Sequence, residues 1–230
     1  MPDSRPQSFF ITGTDTDIGK TYISGLLADT FSKFIPVSYM KPVQTGCTRN
    51  EQGDIMAPDF EFMRQGSMTQ TASYKTHVPY RFEPSCSPHL AAHMADQKIS
   101  FAHIRRCFTE LCGQGEVMTL VEGAGGVMVP LGPEGFMIDL IAHLELPVIV
   151  VTSPHLGTIN HTLMTFEALK SRGIAVAGVI ANNCRNLTRD FIYADNIDYI
   201  RQAIGPVPFY EAAFGGKPDA ALEVFCRELV

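Results

Sequence analysis

Residues 11–21 read ITGTDTDIGKT, and no other stretch of the chain restricts its fold as tightly. The apolar run Ser8–Ile11 leads into a glycine-bearing turn, then Gly19-Lys20-Thr21, then a sequence suited to a helix. A strand, a loop and a helix N-terminus in that order aim backbone N–H groups at an anion, and the helix dipole favours the negative charge. In such a loop Lys20 reaches the β- and γ-phosphates of a nucleoside triphosphate, and the Thr21 hydroxyl suits Mg²⁺. The run therefore predicts that Gly13, Asp15, Thr16, Asp17, Ile18, Gly19, Lys20 and Thr21 hold a nucleotide. Its spacing departs from the usual Gly, four residues, Gly-Lys-Thr: Gly13 is one position early and Thr14 stands where the glycine is expected. An ordinary glycine turn before a helix is the bland alternative. The apolar run in front of it and its place near the chain start favour the phosphate loop.

With 230 residues, 45% of them hydrophobic and 18% charged, the chain can bury a full core and is expected to form one α/β domain over 1–230. No apolar run reaches the roughly 18 residues that span a bilayer. MPDSRPQS lacks the apolar region of a signal peptide, so the expected location is the cytoplasm. Lys plus Arg number 18 against 24 Asp plus Glu, a net charge of −6, which argues against a broad nucleic-acid surface but not against ATP. Cys47, Cys86, Cys107, Cys112, Cys184 and Cys226 form no CxxC pair, and no disulfide scaffold is expected. Cys107 reads as helix core, whereas Cys47 and Cys86 lie in loops where thiol reagents can reach them. The histidines show no zinc spacing.

β-rich runs recur at Ser8–Thr12, Val37–Val43, Glu116–Val121, Pro147–Thr152, Ile174–Ala181 and Val207–Tyr210. Helical patterns fall between and after them, at Lys20–Phe31, about Asp59–Arg64, Phe101–Cys112, Ile159–Ser171, Arg189–Ala203 and Asp219–Glu228. This alternation predicts βαβ units and a mostly parallel central sheet with helices on both faces. Ligand groups then collect at the C-terminal strand ends. Thr45–Ser100 is the least regular segment and reads as an excursion of short helices that shapes the pocket.

The polar residues just after strands carry the chemistry. Lys41 closes the second strand, and two ammonium groups near a phosphate loop suit phosphoryl transfer. A solvated strand-end lysine is the alternative. Thr45 can donate to phosphate or substrate. Glu122 is the second residue of VEGAGG, where a carboxylate can complete Mg²⁺ coordination with Thr21, or simply precede a turn. Gly125 and Gly126 can expose N–H groups to substrate. Asp54 and Asp59 compete for a second acidic role, and Asp59 also suits a helix cap. Asp15 and Asp17 should point away from phosphate, unless one orients an amine. Leu156, Gly157 and Asn160 lie in a loop before a helix that makes another small anion site. Asn182 and Asn183 follow a strand at a place suited to a purine edge, and Pro208, Tyr210 and Glu211 can complete the base pocket. Ser87, Pro88 and His89 are explained almost as well by loop rigidity.

These segments together resemble the dethiobiotin synthetase family. The resemblance rests on TGTDTDIGKT at 12–21, KPVQTG at 41–46, SPH at 87–89, VEGAGG at 121–126, LGTINH at 156–161 and ANN at 181–183, and runs from Phe9 to about Glu211. It implies a P-loop NTPase-like α/β fold and a homodimer. It also implies an ATP- and Mg²⁺-dependent cyclo-ligase that turns 7,8-diaminopelargonate and CO₂ into dethiobiotin. By resemblance Lys20 and Lys41 contact phosphates and the nascent carbamate, and Thr21, Asp59 and Glu122 surround the metal, which decides for Asp59 over Asp54. Asn182 reads adenine, and the partner subunit's LGTIN segment holds the distal carboxylate of the diamine. Thr45 stands where serine is common, and Cys86 where threonine is common. Three other readings remain: an amidoligase, which would need an ammonia source and a second domain; a ParA-like switch, which would carry a lysine where Thr14 stands; and a degenerate module that binds ATP without chemistry, against which both lysines and the VEGAGG acid argue.

Overall fold

A computed structural model describes residues 7–66, 73–113, 115 and 117–230. Its main sheet contains strands β1 (Phe9–Gly13), β2 (Val37–Met40), β3 (Met118–Gly126), β4 (Val148–Thr152), β5 (Val176–Asn182) and β6 (Phe209–Ala212). They run in the order β6-β5-β4-β1-β3-β2, and every pair is parallel. The helices are α1 (Lys20–Phe31), α2 (Pro58–Arg64), α3 (Tyr74–His77), α4 (Pro88–Met94), α5 (Phe101–Cys112), α6 (Met137–Leu144), α7 (Thr158–Ser171), α8 (Phe191–Ile204) and α9 (Ala220–Glu228).

Side chains alternate across a strand, so each main strand feeds two cores. Phe9 and Ile11 join Leu27, Phe31, Phe60 and Phe225 on the face covered by α1, α2 and α9. Phe10 joins Ile104, Ile141 and Leu169 on the face covered by α4 to α7. The central strands β1 and β4 are buried along their whole length, which explains their nearly unbroken apolar sequence.

Several expected bounds move. Lys41 and Pro42 end β2 at Met40, because proline supplies no ladder N–H. Val43–Gln44 instead pairs with Tyr80–Arg81. The third strand extends through Glu122 to Gly126, so EGAGG is strand and not flexible loop. Its expected start at Glu116, like residues 1–6 of the N-terminal segment, lies outside the described residues. Helix α6 and the hairpin pairing Pro130–Gly132 with Gly135–Phe136 were not expected. Cys107 is buried on α5 as read. Cys47, by contrast, is buried, and burial pushes its thiol up to about 11, so it is not the reactive loop thiol expected. Among the described residues, no helix is long and apolar enough to cross a membrane.

Candidate active site

β1 ends at Gly13, and the loop to α1 turns on Gly19, whose φ of +85° is left-handed. A side chain at Gly19 would place its Cβ 2.2 Å from Asn182 Nδ2. Asn182 is buried at the end of β5 and donates through Nδ2 to the Ile18 carbonyl at 2.9 Å. The end of β5 thus braces the loop. Asp15, Thr16 and Asp17 are exposed, as the charge of the two aspartates near an anion site demands, and Asp15 Oδ1 accepts from Thr16 N at 2.7 Å.

Lys20 is the first residue of α1 and only 7% exposed. Burial, and then the charge of Lys41, lower its pKa to about 8, although Glu122, Asp59 and Asp17 pull the other way. Its Nζ donates to the Asp15 carbonyl at 3.3 Å. Lys41, just past β2, is 3% exposed, with Nζ 2.7 Å from Glu122 Oε1 and 2.6 Å from Asp59 Oδ2. Burial alone would lower its pKa, but the two carboxylates outweigh it and hold the ammonium above its usual range. Burial would likewise raise the Asp59 carboxyl, yet Lys41, aided by Gln44 and Thr21, holds it below the usual range.

Glu122 does not take the exposed place before a turn that was its alternative reading. It is 0% exposed, and Leu120 before it sets the alternation that turns it toward α1. Its Oε1 accepts from Thr21 Oγ1 at 2.8 Å and from Lys41 Nζ, and its Oε2 from Ser24 Oγ at 2.7 Å and Tyr39 Oη at 3.0 Å. Burial and the Glu122 charge push the Tyr39 phenol well up, so it remains a donor.

One cleft of about 400 Å³ is lined by Thr16, Asp17, Gly19, Lys20, Thr21, Lys41, Thr45, Asp59, Glu122 and Gly125. It joins the phosphate loop to the Lys41 and Glu122 segments. Gln44 and Ser85 line it as well and escaped the sequence reading. Gln44 falls just past the expected strand Val37–Val43 and ends the short strand Val43–Gln44, whereas Ser85 lies in the irregular segment. An apolar hollow of about 470 Å³ between α1, α2 and residues 215–218 has neither Lys20 nor Lys41 in its wall. Asp54 sits in an exposed turn with Asn50, away from Lys41, while Asp59 meets it. Gly126 pairs with Gly13 in the sheet. Leu156, Gly157 and Asn160 line a separate open hollow with Ile159, Leu163 and Met164. Asn183 is tied to Leu187. On β6, the Tyr210 hydroxyl goes to Asp219 at 3.1 Å and Glu211 pairs with Arg189 and Arg201, while Pro208 just before the strand is half-buried. Ser87 precedes α4 without a side-chain capping bond, Pro88 opens it, and His89 is exposed.

Three hard oxygen donors, the Thr21 hydroxyl and the Asp59 and Glu122 carboxylates, meet around Lys41 beside the phosphate loop, a set that suits Mg²⁺. The arrangement can bind a polyphosphate and offer two ammonium groups to a transferring phosphoryl group.

A family model described as AAA domain matches residues 7–210. The chain is 38% identical over 195 residues to the ATP-dependent dethiobiotin synthetase BioD of Fusobacterium nucleatum, covering 84% of this chain and 85% of the relative. It is also 38% identical over 225 residues to the enzyme of that name from Cellvibrio japonicus, covering 95% and 96%. Among solved structures, a plasmid partition protein from Borrelia burgdorferi aligns with a TM-score of 0.59 at 10% identity, over 98% of this chain and 97% of that one. An apo GTPase from Pyrococcus abyssi aligns with a TM-score of 0.54 at 14% identity, over 96% of each chain. At those identities the two structures speak for the P-loop fold alone.

Proposed function

The chain belongs to the ATP-dependent dethiobiotin synthetase family, and we propose that the cleft holding Lys20, Thr21, Lys41, Thr45, Asp59 and Glu122 is where it works. The enzyme is an ATP-dependent ligase that converts 7,8-diaminopelargonate and CO₂ to dethiobiotin, with ADP and phosphate. One neutral amine attacks CO₂ to give a carbamate. A carbamate oxygen attacks the γ-phosphoryl group and ADP leaves. The second amine attacks the mixed carbamic–phosphoric anhydride, closes the ring and expels phosphate. The protein's task is alignment, charge neutralisation and exclusion of water.

The observation that carries this assignment is the meeting of two buried lysines in one cleft, one at a helix N-terminus and one held between two carboxylates. Lys20 binds the β- and γ-phosphates with the N–H groups of residues 13–21. Lys41 stays protonated and offers its hydrogens to carbamate and γ-phosphoryl oxygens. Thr45, Gly125 and Gly126 position the diamine. Thr21, Asp59 and Glu122 would hold Mg²⁺, whose chemistry when bound is to neutralise phosphate charge. Asn182 Oδ1 accepts from the adenine amine, and Pro208, Tyr210 and Glu211 bound the base through their backbone, since the latter two side chains are engaged elsewhere. Leu156, Gly157 and Asn160 serve the partner's site in a homodimer. The exposed apolar side chains of Leu156 and Met164 support that placement. We take the whole chain as one domain and place it in the cytoplasm, with its ATP supply.

The carbamate route makes a distinctive demand. Oxygen-labelled bicarbonate, supplied with ATP, Mg²⁺ and the diamine, should deliver one labelled oxygen into the released phosphate. Phosphate released without label, alongside dethiobiotin, would overturn the route.

A further inference from the structure

The two oxygens of Glu122 sit in different surroundings. Oε1 meets Thr21 and Lys41, both in the cleft wall. Oε2 points the other way and accepts from Ser24 at 2.7 Å and Tyr39 at 3.0 Å, neither of which lines the cleft. Ser24 and Tyr39 are both 0% exposed, in the middle of α1 and of β2. A carboxylate with no access to water needs several strong donors to stay in place, and a buried phenol needs a partner for its hydroxyl. Tyr39 otherwise packs among Phe9, Phe31 and Phe60, so the Glu122 oxygen gives a polar tip its place in an apolar core.

We infer that Tyr39 and Ser24 are positioning residues, which anchor Oε2 of Glu122 so that Oε1 alone is presented to the metal and the phosphates. The inference rests on the reading of Glu122 as a metal-side residue. The anchor fixes the rotation of the carboxylate, so Oε1 can exchange its Thr21 and Lys41 bonds for a ligand while the side chain stays still. Without the phenol, one donor must hold the group, and its orientation toward the cleft loosens. Partners behind a metal-binding group commonly change metal affinity by about 10–100-fold.

The test is a Mn²⁺ titration, followed by electron paramagnetic resonance, of the full chain with a non-hydrolysable ATP analogue. Tyr39→Phe keeps the ring and removes only the hydroxyl. It should weaken Mn²⁺ binding about tenfold. In turnover assays the same variant should raise half-saturation for Mg·ATP while half-saturation for the diamine stays put, a split that lost packing would not produce. Asp59→Asn serves as the control, because Asp59 is partly exposed and its change spares the Oε2 anchor. Parent-like Mn²⁺ binding by Tyr39→Phe, with weakened binding by Asp59→Asn, would overturn the anchor and leave the metal reading standing. Parent-like binding by both would overturn the metal reading and the anchor together. Should Tyr39→Phe fail to fold, Ser24→Ala removes the other Oε2 donor. The same loss of affinity is then expected, and parent-like binding would overturn the inference.

Discussion

Lys20 and Lys41 are both buried ammonium groups, yet their surroundings give them opposite characters. Lys41 has two carboxylates within 2.7 Å and stays charged. Lys20 has a carbonyl and a neighbouring cation, and its pKa falls to about 8. A basic group with a lowered folded pKa binds fewer protons folded than unfolded, so its contribution to stability rises as pH climbs through 8 toward 10.5. Triphosphate favours the charged form, so nucleotide binding between about pH 8 and 10 should take up a proton at Lys20. Calorimetry in buffers of different ionisation enthalpy would read that uptake, which Lys20→Ala should abolish. Equal binding heats in all buffers would contradict it. Lys41→Ala differs in kind: it leaves Glu122 buried with its cation gone, and should cost about 3–5 kcal/mol of stability in denaturant unfolding. Both lysines were legible in the sequence, one from its motif and the other as a charge ending an apolar run. Tyr39 and Ser24 were not, because each stands inside an element and reads as ordinary core.

At the scale of elements, α1 and α5 match their sequence bounds residue for residue. Gly19 and Ser100 mark their starts, and Ser100 Oγ caps α5 by accepting from His103 N at 3.4 Å. Helix α6 escaped because its signal is unusual. Phe136 stands at the cap, and the carboxylate of Asp139 reaches back to the Phe136 N–H at 2.8 Å. The run MIDLIAHL, with five of its eight residues buried, also merges into the apolar strand that follows. Glycine is a poor strand former, and the neighbouring strands override that preference in EGAGG, which carries the strand past its expected end at Val121. The phosphate loop depends on Gly19 for two reasons, its positive φ and the closeness of Asn182. Gly19→Ala should cost about 1–2 kcal/mol in loop conformation and roughly tenfold in ATP affinity, with the circular dichroism of the fold unchanged. Unchanged nucleotide affinity would show that the loop does not depend on this turn.

For the whole molecule, the strand order brings Gly13, Lys41, Glu122 and Asn182 to one edge of the sheet although they are scattered over 170 residues of sequence. That convergence was legible from the alternation of strands and helices. The association of two copies was carried only by family resemblance, since no periodicity marks Leu156 or Met164 as a contact. Both are nonetheless exposed, at 84% and 64%, and share one apolar hollow. Sedimentation should therefore give twice the protomer mass, and Leu156→Asp with Met164→Asp should yield monomers with depressed turnover. Monomeric parent protein with full turnover would contradict the dimer. The most direct test of the account follows dethiobiotin by mass spectrometry together with phosphate, from ATP, Mg²⁺, bicarbonate and 7,8-diaminopelargonate, in parent and Lys20→Ala. The parent should form dethiobiotin and phosphate in equal amounts, neither without the diamine. Lys20→Ala should fold as well as the parent yet turn over about a hundredfold to a thousandfold more slowly. A parent that binds ATP and makes no dethiobiotin, or a Lys20→Ala protein with full turnover, would contradict the account.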